Sequence, residues 1–322
     1  MARCEAALSS YKRLFSPSSE QESGRKPHRG KVDWALRVAI GLCLLVAAVA
    51  LLWIPATQLS HMVAERATVN RANQKVADWP QGKVARELAR AQAYNRAIAA
   101  GDQSTLGEAA DPFVPASAPA ARRTSLASRD QSYQRALNAD NGLMGSVRIP
   151  KISLNMPIYH GTSDRSLSQG AGHLYGTSLP VGGPSTNAVL TGHRGLPGAL
   201  LFTRLDELTT GDVFYVNTLG RTMGYRIVSI HVVNPDDTHL YTVVQGEDLV
   251  TLMTCTPYGV NTQRLVITGQ RAPIPRSIPE PEHAPKDALL IAFVVGFGVL
   301  VLGCLLYMCS PRGTQLVRHR RA

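Results

Sequence analysis

The sequence predicts a small closed or nearly closed β-barrel held outside a membrane by an apolar helix at each end. Two observations carry the membrane part. Val38 to Ile54 is an unbroken apolar run of 17 residues, and Ala288 to Cys309 is a run of 22 without a charge. The third is a stretch from about Ser146 to Arg271 built of short alternating or β-branched runs, bounded by Gly, Pro and Asn, with no regular helices between them.

A membrane helix needs about 20 residues at 1.5 Å each to cross roughly 30 Å of hydrocarbon. The second run meets that length directly. The first meets it from Trp34 if Arg37 snorkels to the headgroups. A purely soluble protein is therefore excluded. Charge sets the orientation. Residues 1–33 hold seven Lys/Arg against four acids, and residues 310–322 hold four Arg and no acid. Basic flanks stay cytoplasmic, so both termini are expected inside the cell membrane, with 56–287 outside. That outer part keeps only +3 of the net +11, which leaves no basic patch to support a nucleic-acid partner.

The first run could instead be a cleaved signal peptide. It exceeds the usual 7–15 apolar residues, and Ala48-Val49-Ala50 lies inside it rather than after it, so it is read as an uncleaved anchor. An apolar helix with a basic tail also ends cell-wall sorting signals, which carry an LPXTG-type pentapeptide just ahead. Here 271–287 reads RAPIPRSIPEPEHAPKD, without that motif, and the second helix is read as an anchor too.

Between the anchors, residues 57–100 contain almost no turn formers and show loose helical periodicity, which predicts helices over about 58–77 and 82–99 with a break at Trp79-Pro80. A stalk is the plain role for them. Residues 101–127 hold three prolines, many small residues and no periodicity. A loop of that length is a linker or a functional lid. Within it, Asp111-Pro112-Phe113 sets a carboxylate and an aromatic ring on either side of a stiff proline. Seven β-type runs follow in 128–272 (SVRIP, NMPIYH, TNAVLTGH, DVFYVNT, RTMGYRIVSIHVVN, LVTLMTC and RLVITGQR), with a possible short helix over Gly198–Leu205. Residues 273–287, with five prolines, form an extended tether to the second anchor.

Cysteine usage points to chemistry. Of five cysteines, Cys4 lies in the inner tail and Cys43, Cys304 and Cys309 in or at the edge of the apolar runs, so Cys255 alone is outside. It has no disulfide partner within its domain. Such a thiol can be an inert buried side chain, one half of an intermolecular disulfide, or a nucleophile. Its strand, TLMTC, is followed by the turn Thr256-Pro257-Tyr258-Gly259 and then Arg264, so a hairpin sets Cys255 and Arg264 on adjacent antiparallel strands. His193 ends the TGHRG strand far earlier in the chain. A thiol with pKa about 8.5 needs an imidazole to take its proton, and a guanidinium or backbone N–H can hold the oxyanion formed on an attacked amide. His160 and His173, each near a strand end beside glycine, compete for the histidine role. Taken by itself, Arg264 reads first as an ordinary strand-edge ion pair. No CxxC or HExxH spacing supports a metal.

The motifs TGHRG and TLMTCTPYGVNTQRL, preceded by LYGTSLPVGG and MGSVRIPKI, resemble the class C, pilus-assembling sortases of Gram-positive bacteria. The similarity runs from about Tyr94 through Arg271, and the two-anchor layout matches. The resemblance implies a mainly β fold: an eight-stranded sortase-type β-barrel preceded by two helices and a lid loop, flanked by two transmembrane helices. It implies Cys255 as nucleophile, His193 as general acid/base and Arg264 as the oxyanion or substrate-positioning group. It also implies Asp111-Pro112-Phe113 as the lid, with Asp111 near Arg264 and Phe113 over the thiol; lids of this family often carry Trp or Tyr where this chain has Phe. The expected reaction is attack on the Thr–Gly bond of an LPXTG-like sorting signal, then transfer to a lysine of the next pilin subunit, with no metal or organic cofactor. Two other functions fit the same chain: attachment of surface proteins to peptidoglycan, and a non-enzymatic anchored binding module.

Overall fold

The computed structural model describes residues 29–101, 126–196, 198–275 and 288–309. Asp111-Pro112-Phe113 and most of the proline-rich tether lie outside the described residues. The chain divides into two compact units, 1–47 with 300–322, and 48–299. The first contributes, among the described residues, the start of one apolar helix and the end of another.

Helix α1 runs from Arg29 to Ala77 without interruption through Pro55. The sequence analysis gives an apolar run to Ile54 and a helix from about residue 58, and the two form one continuous helix. Pro55 removes one backbone donor, but the residues after it include no glycine and no second proline to end the helix. Trp34, Leu42, Leu45, Val46, Val49 and Trp53 on its apolar part are exposed, as an apolar helix surface meant for lipid would be. Among the described residues this is the one helix long and apolar enough to cross a membrane. Ala288–Cys309 forms a second helix, α6, whose described apolar stretch is the shorter Ile291–Leu306.

Helix α2, Gln81–Ala100, starts after Pro80 and ends at Gly101, close to its predicted bounds. It packs on the barrel instead of standing clear of it. Ala91 is fully buried, and Asn95 forms a two-way amide clasp with Leu179: its Nδ2 donates to Leu179 O at 3.0 Å, and Leu179 N donates to its Oδ1 at 2.7 Å. Two one-turn helices follow, α3 (Leu126–Arg129) and α4 (Gln131–Arg135), the latter capped by Asp130 accepting from Tyr133 N.

The eight strands are β1 (Leu143–Ile149), β2 (Leu154–His160), β3 (Ala171–His173), β4 (Thr186–Thr191), β5 (Val213–Thr218), β6 (Arg221–Val233), β7 (Asp248–Thr256) and β8 (Gln263–Ala272). They close into a barrel in the order β1-β2-β3-β4-β7-β8-β6-β5. Seven match the predicted runs. β3 was not visible in the sequence: three residues with a central glycine are too short to show alternation, and pairing with β2 and β4 alone makes it a strand. Helix α5, Asp164–Gln169, bridges β2 to β3 as the crossover that parallel neighbours require. The predicted helix over Gly198–Leu205 is instead a run of turns ending in a 3-10 turn at Leu205–Glu207, and Leu201, at φ 40°, cannot sit in a right-handed helix.

Side chains one residue apart point to opposite faces of a strand. Val147, Ile158, Leu190, Val216, Leu252 and Ile267 fill the barrel. Gly269 leaves room there for the stacked rings of Phe214 and Tyr225; a Cβ would meet Phe214 at 2.4 Å. The opposite face of β4, β7 and β8 carries a second apolar cluster, Val189, Met253 and Val266, covered by Tyr241 from the β6–β7 connection. Asn187, on that same face, donates to the carbonyls of Leu240 and Thr242 and so pins the cover.

Candidate active site

β7 and β8 pair antiparallel with Cys255 directly opposite Arg264. Directly opposed residues share a face, with Cα atoms about 4.5–5.5 Å apart. By the period-two rule, Cys255 follows Met253 and Arg264 precedes Val266, so both side chains leave the barrel on its outer face. Both are buried, at 4% and 2% exposure, so neither is an ordinary strand-edge side chain. Arg264 Nη1 donates to Gln263 O at 2.7 Å and to Asn261 O at 3.0 Å, which fixes one edge of the guanidinium against the β7–β8 turn.

On the other side of β7 lies β4, parallel to it, with Thr191 opposite Met253. The pairing carries on past the strand end. Gly192 N donates to Met253 O at 3.1 Å, and Thr254 Oγ1 donates to Gly192 O at 2.7 Å. Two residues beyond Thr191 is His193, and two beyond Met253 is Cys255, so the register sets the imidazole level with the thiol. Gly192 is required here because the Phe202 ring packs against its backbone; a Cβ would come within 2.8 Å of Phe202 Cδ2. Phe202 N in turn donates to His193 O at 3.1 Å. His193 is half-buried, and burial holds its pKa below the ordinary imidazole value while the Asp164 carboxylate pulls it back up. A mostly neutral imidazole beside a thiol can accept its proton near neutral pH.

The competing histidines are structural. His160 lies with each ring nitrogen 2.8 Å from a backbone carbonyl, those of Gly142 and Ala136. His173 is fully buried, its Nδ1 2.9 Å from the Tyr133 hydroxyl and its Nε2 2.8 Å from Ser178 O. Both sit around the fully buried Tyr133 ring, 5.0 Å and 5.7 Å from its centroid. Burial lowers both pKa values, that of His173 to about 4. Among the described residues no group of His, Cys, Asp and Glu could hold a metal ion.

A sequence profile described as "Sortase domain" matches residues 147–272, the barrel from β1 to β8. The fold also aligns with a crystal structure of Streptococcus agalactiae sortase C1 at 40% identity and a TM-score of 0.57, covering 66% of this chain and 97% of that one. The chain belongs to the sortase family of transpeptidases. A structure described as the pilus-related sortase C of Group B Streptococcus matches at 38% identity and TM-score 0.55, over 62% of this chain and 94% of that one. These neighbours assign it to class C within the family. Bacillus subtilis sortase D is 32% identical over 130 residues, 39% of this chain; that match spans 63% of the relative's length.

Several residues of the site were not singled out by sequence reasoning. Asp164, first residue of α5, acts on His193 electrostatically from an element the sequence did not reveal. Arg194, inside the quoted TGHRG, reaches Asp206 and Thr256. The one signal available was its place beside His193.

Proposed function

We propose that this sortase is a membrane-anchored cysteine transpeptidase that polymerises pilins. The supporting observation is Cys255 at the end of β7, with Arg264 across from it on β8 and His193 level with it past β4. In this account Cys255 Sγ passes its proton to His193 and attacks the carbonyl carbon of the Thr–Gly bond in an LPXTG-like sorting signal. The carbonyl becomes an oxyanion facing the Arg264 guanidinium; one such donor is typically worth about 3–4 kcal/mol in the transition state. His193 returns the proton to the leaving glycine amine, and the C–N bond breaks to leave a thioacyl enzyme. A pilin lysine amine then attacks the thioester, His193 takes its proton, and Cys255 leaves as the thiolate. The product is an isopeptide bond between two subunits. No redox partner or cofactor enters the balance.

The anchors belong to the same account. Residues 34–55 and Ala288–Cys309 would hold the catalytic barrel at the outer face of the cell membrane, where membrane-held substrates meet it at an effective concentration in the millimolar range. Asp111-Pro112-Phe113 would act as a gate, with Asp111 toward Arg264 and Phe113 over the thiol. The domain plan that goes with this reading is a cytoplasmic tail at each end, an N-terminal helical segment, the lid, the barrel over 128–272 and the tether. The similarity to a sortase described as pilus-related favours a pilin lysine over a peptidoglycan amine as acceptor. The cellular test is polymer formation by this protein with and without Cys255→Ala. Loss of high-molecular-weight pilin polymers with the variant chain still present in the membrane is the expected result. Unchanged polymers would overturn the proposal, and products limited to wall-linked monomers would replace it with the attachment function.

A further inference from the structure

Arg194 follows His193 directly, and its side chain is only 7% exposed. Its guanidinium has three partners from two segments, the turn at Asp206 and the end of β7 with the turn after it. Nη2 lies 2.5 Å from Asp206 Oδ2, in the 3-10 turn that closes the loop after His193. Nη1 donates to Thr256 Oγ1 at 3.1 Å, on the last residue of β7 and next to Cys255. The guanidinium carbon stands 5.7 Å from the centre of the Tyr258 ring, in the turn between β7 and β8. The same ring covers the next residue of the loop. Gly195 has φ 80°, and a Cβ there would approach Tyr258 Cε2 to 3.2 Å.

The chemistry of these contacts is particular to arginine. A planar fork can meet a carboxylate and a hydroxyl through different nitrogens while its face meets an aromatic ring; an ammonium is a single point charge and cannot do all three. The ion pair with Asp206 also balances the charge of Arg194. It is thereby set apart from Arg264, whose guanidinium stands across from Cys255 and is anchored on backbone carbonyls.

We infer that Arg194 is a positioning residue for the transfer reaction: through Asp206, Thr256 and Tyr258 it locks the loop bearing His193 to the strand end bearing Cys255. The inference rests on the proposed roles of Cys255 and His193. Backbone and Thr254 contacts hold the two segments together up to Gly192, and Arg194 continues that stitching past the histidine on its far side. A loop clamped on both sides of His193 keeps the imidazole within proton-transfer reach of the thiol. A loop clamped on one side lets it swing, and misplacement by about 1 Å can cost on the order of 100-fold in rate.

The test uses the full-length chain in detergent with an LPXTG peptide as substrate. It compares Arg194→Gln, Arg194→Lys, Asp206→Ala and Thr256→Val with Cys255→Ala and His193→Ala. Three quantities are read for each: kcat and KM separately, the pH midpoint of Cys255 alkylation by iodoacetamide, and the melting temperature. The expected result for Arg194→Gln is a fall in kcat of about 100-fold with KM within about twofold, because ground-state peptide binding does not need the imidazole in place. Its alkylation midpoint should move toward that of His193→Ala. Arg194→Lys should recover only part of kcat, and Asp206→Ala combined with Arg194→Gln should be no worse than Arg194→Gln alone, since both break one clamp. An unchanged kcat and alkylation midpoint in Arg194→Gln, or a loss confined to KM, would overturn the inference. Should Arg194→Gln fail to fold, unchanged kcat in both Asp206→Ala and Thr256→Val would overturn it equally. Full turnover by Cys255→Ala or His193→Ala would instead overturn the underlying site assignment, and that outcome is read from different variants.

Discussion

His193 and His173 are both histidines near strand ends, and their surroundings give them different work. His173 is sealed among Tyr133, Ser178 and Thr177, and burial holds its pKa at about 4. In the unfolded chain the same group takes a proton near pH 6.5, so between pH 6.5 and 4 the unfolded state binds more protons. The His173 contribution to stability is therefore complete above pH 6.5 and is lost as pH falls toward 4, by an amount of about 3 kcal/mol. Urea unfolding at pH 7.5, 5.5 and 4 should show that decline, and His173→Gln should flatten it. A wild-type curve without slope in this window would contradict the assignment. His193 is less enclosed and is tuned by the Asp164 carboxylate. Asp164 favours its imidazolium, so Asp164→Asn should lower the His193 pKa further. The acidic limb of peptide turnover against pH should then shift to lower pH, by less than about one unit. A shift upward would show that Asp164 acts in another way.

At the scale of elements, the site is a consequence of strand order. β7 is flanked by β4, distant in sequence, on one side and by its hairpin partner β8 on the other, so the proposed site draws His193 from just past the end of β4, Cys255 from β7 and Arg264 from β8. The β7–β8 half of this was legible in the sequence, because one short turn between Cys255 and Arg264 dictates a hairpin. The β4–β7 half was not, since parallel neighbours need a long crossover and nothing local states which strands will meet. The same limit hid Arg194: its partner Thr256 belongs to the strand that only the barrel brings alongside. β3 and α1 mark two further limits. β3 is strand by virtue of its neighbours, and α1 runs unbroken from the apolar run into the segment after it, although Pro55 lies inside it. Gly192 shows how closely the elements are fitted at the site, where the Phe202 ring occupies the space of a Cβ. Gly192→Ala should push Phe202 or the strand end aside and lower peptide turnover at least about tenfold, with a smaller effect on KM. Normal turnover in this variant would mean the loop tolerates a shift that the account says it cannot.

At the scale of the whole molecule, the chain joins a barrel of the sortase family to apolar helices at both ends. The outer face of the barrel, not its packed interior, carries the proposed chemistry. In the proposed reaction both substrates are large proteins, so the reacting carbonyl would reach the thiol from outside and the acceptor lysine would follow it. The proposed lid would give a site on this face a means of control. Intact-mass measurement of the full-length chain in detergent, incubated with an LPXTG peptide, tests the central claim most directly, with Cys255→Ala and Asp111→Ala/Phe113→Ala in parallel. The account predicts a thioacyl adduct on Cys255, absent in Cys255→Ala and formed faster in the lid variant. With the fold intact, no adduct on Cys255 in either the wild type or the lid variant would contradict it.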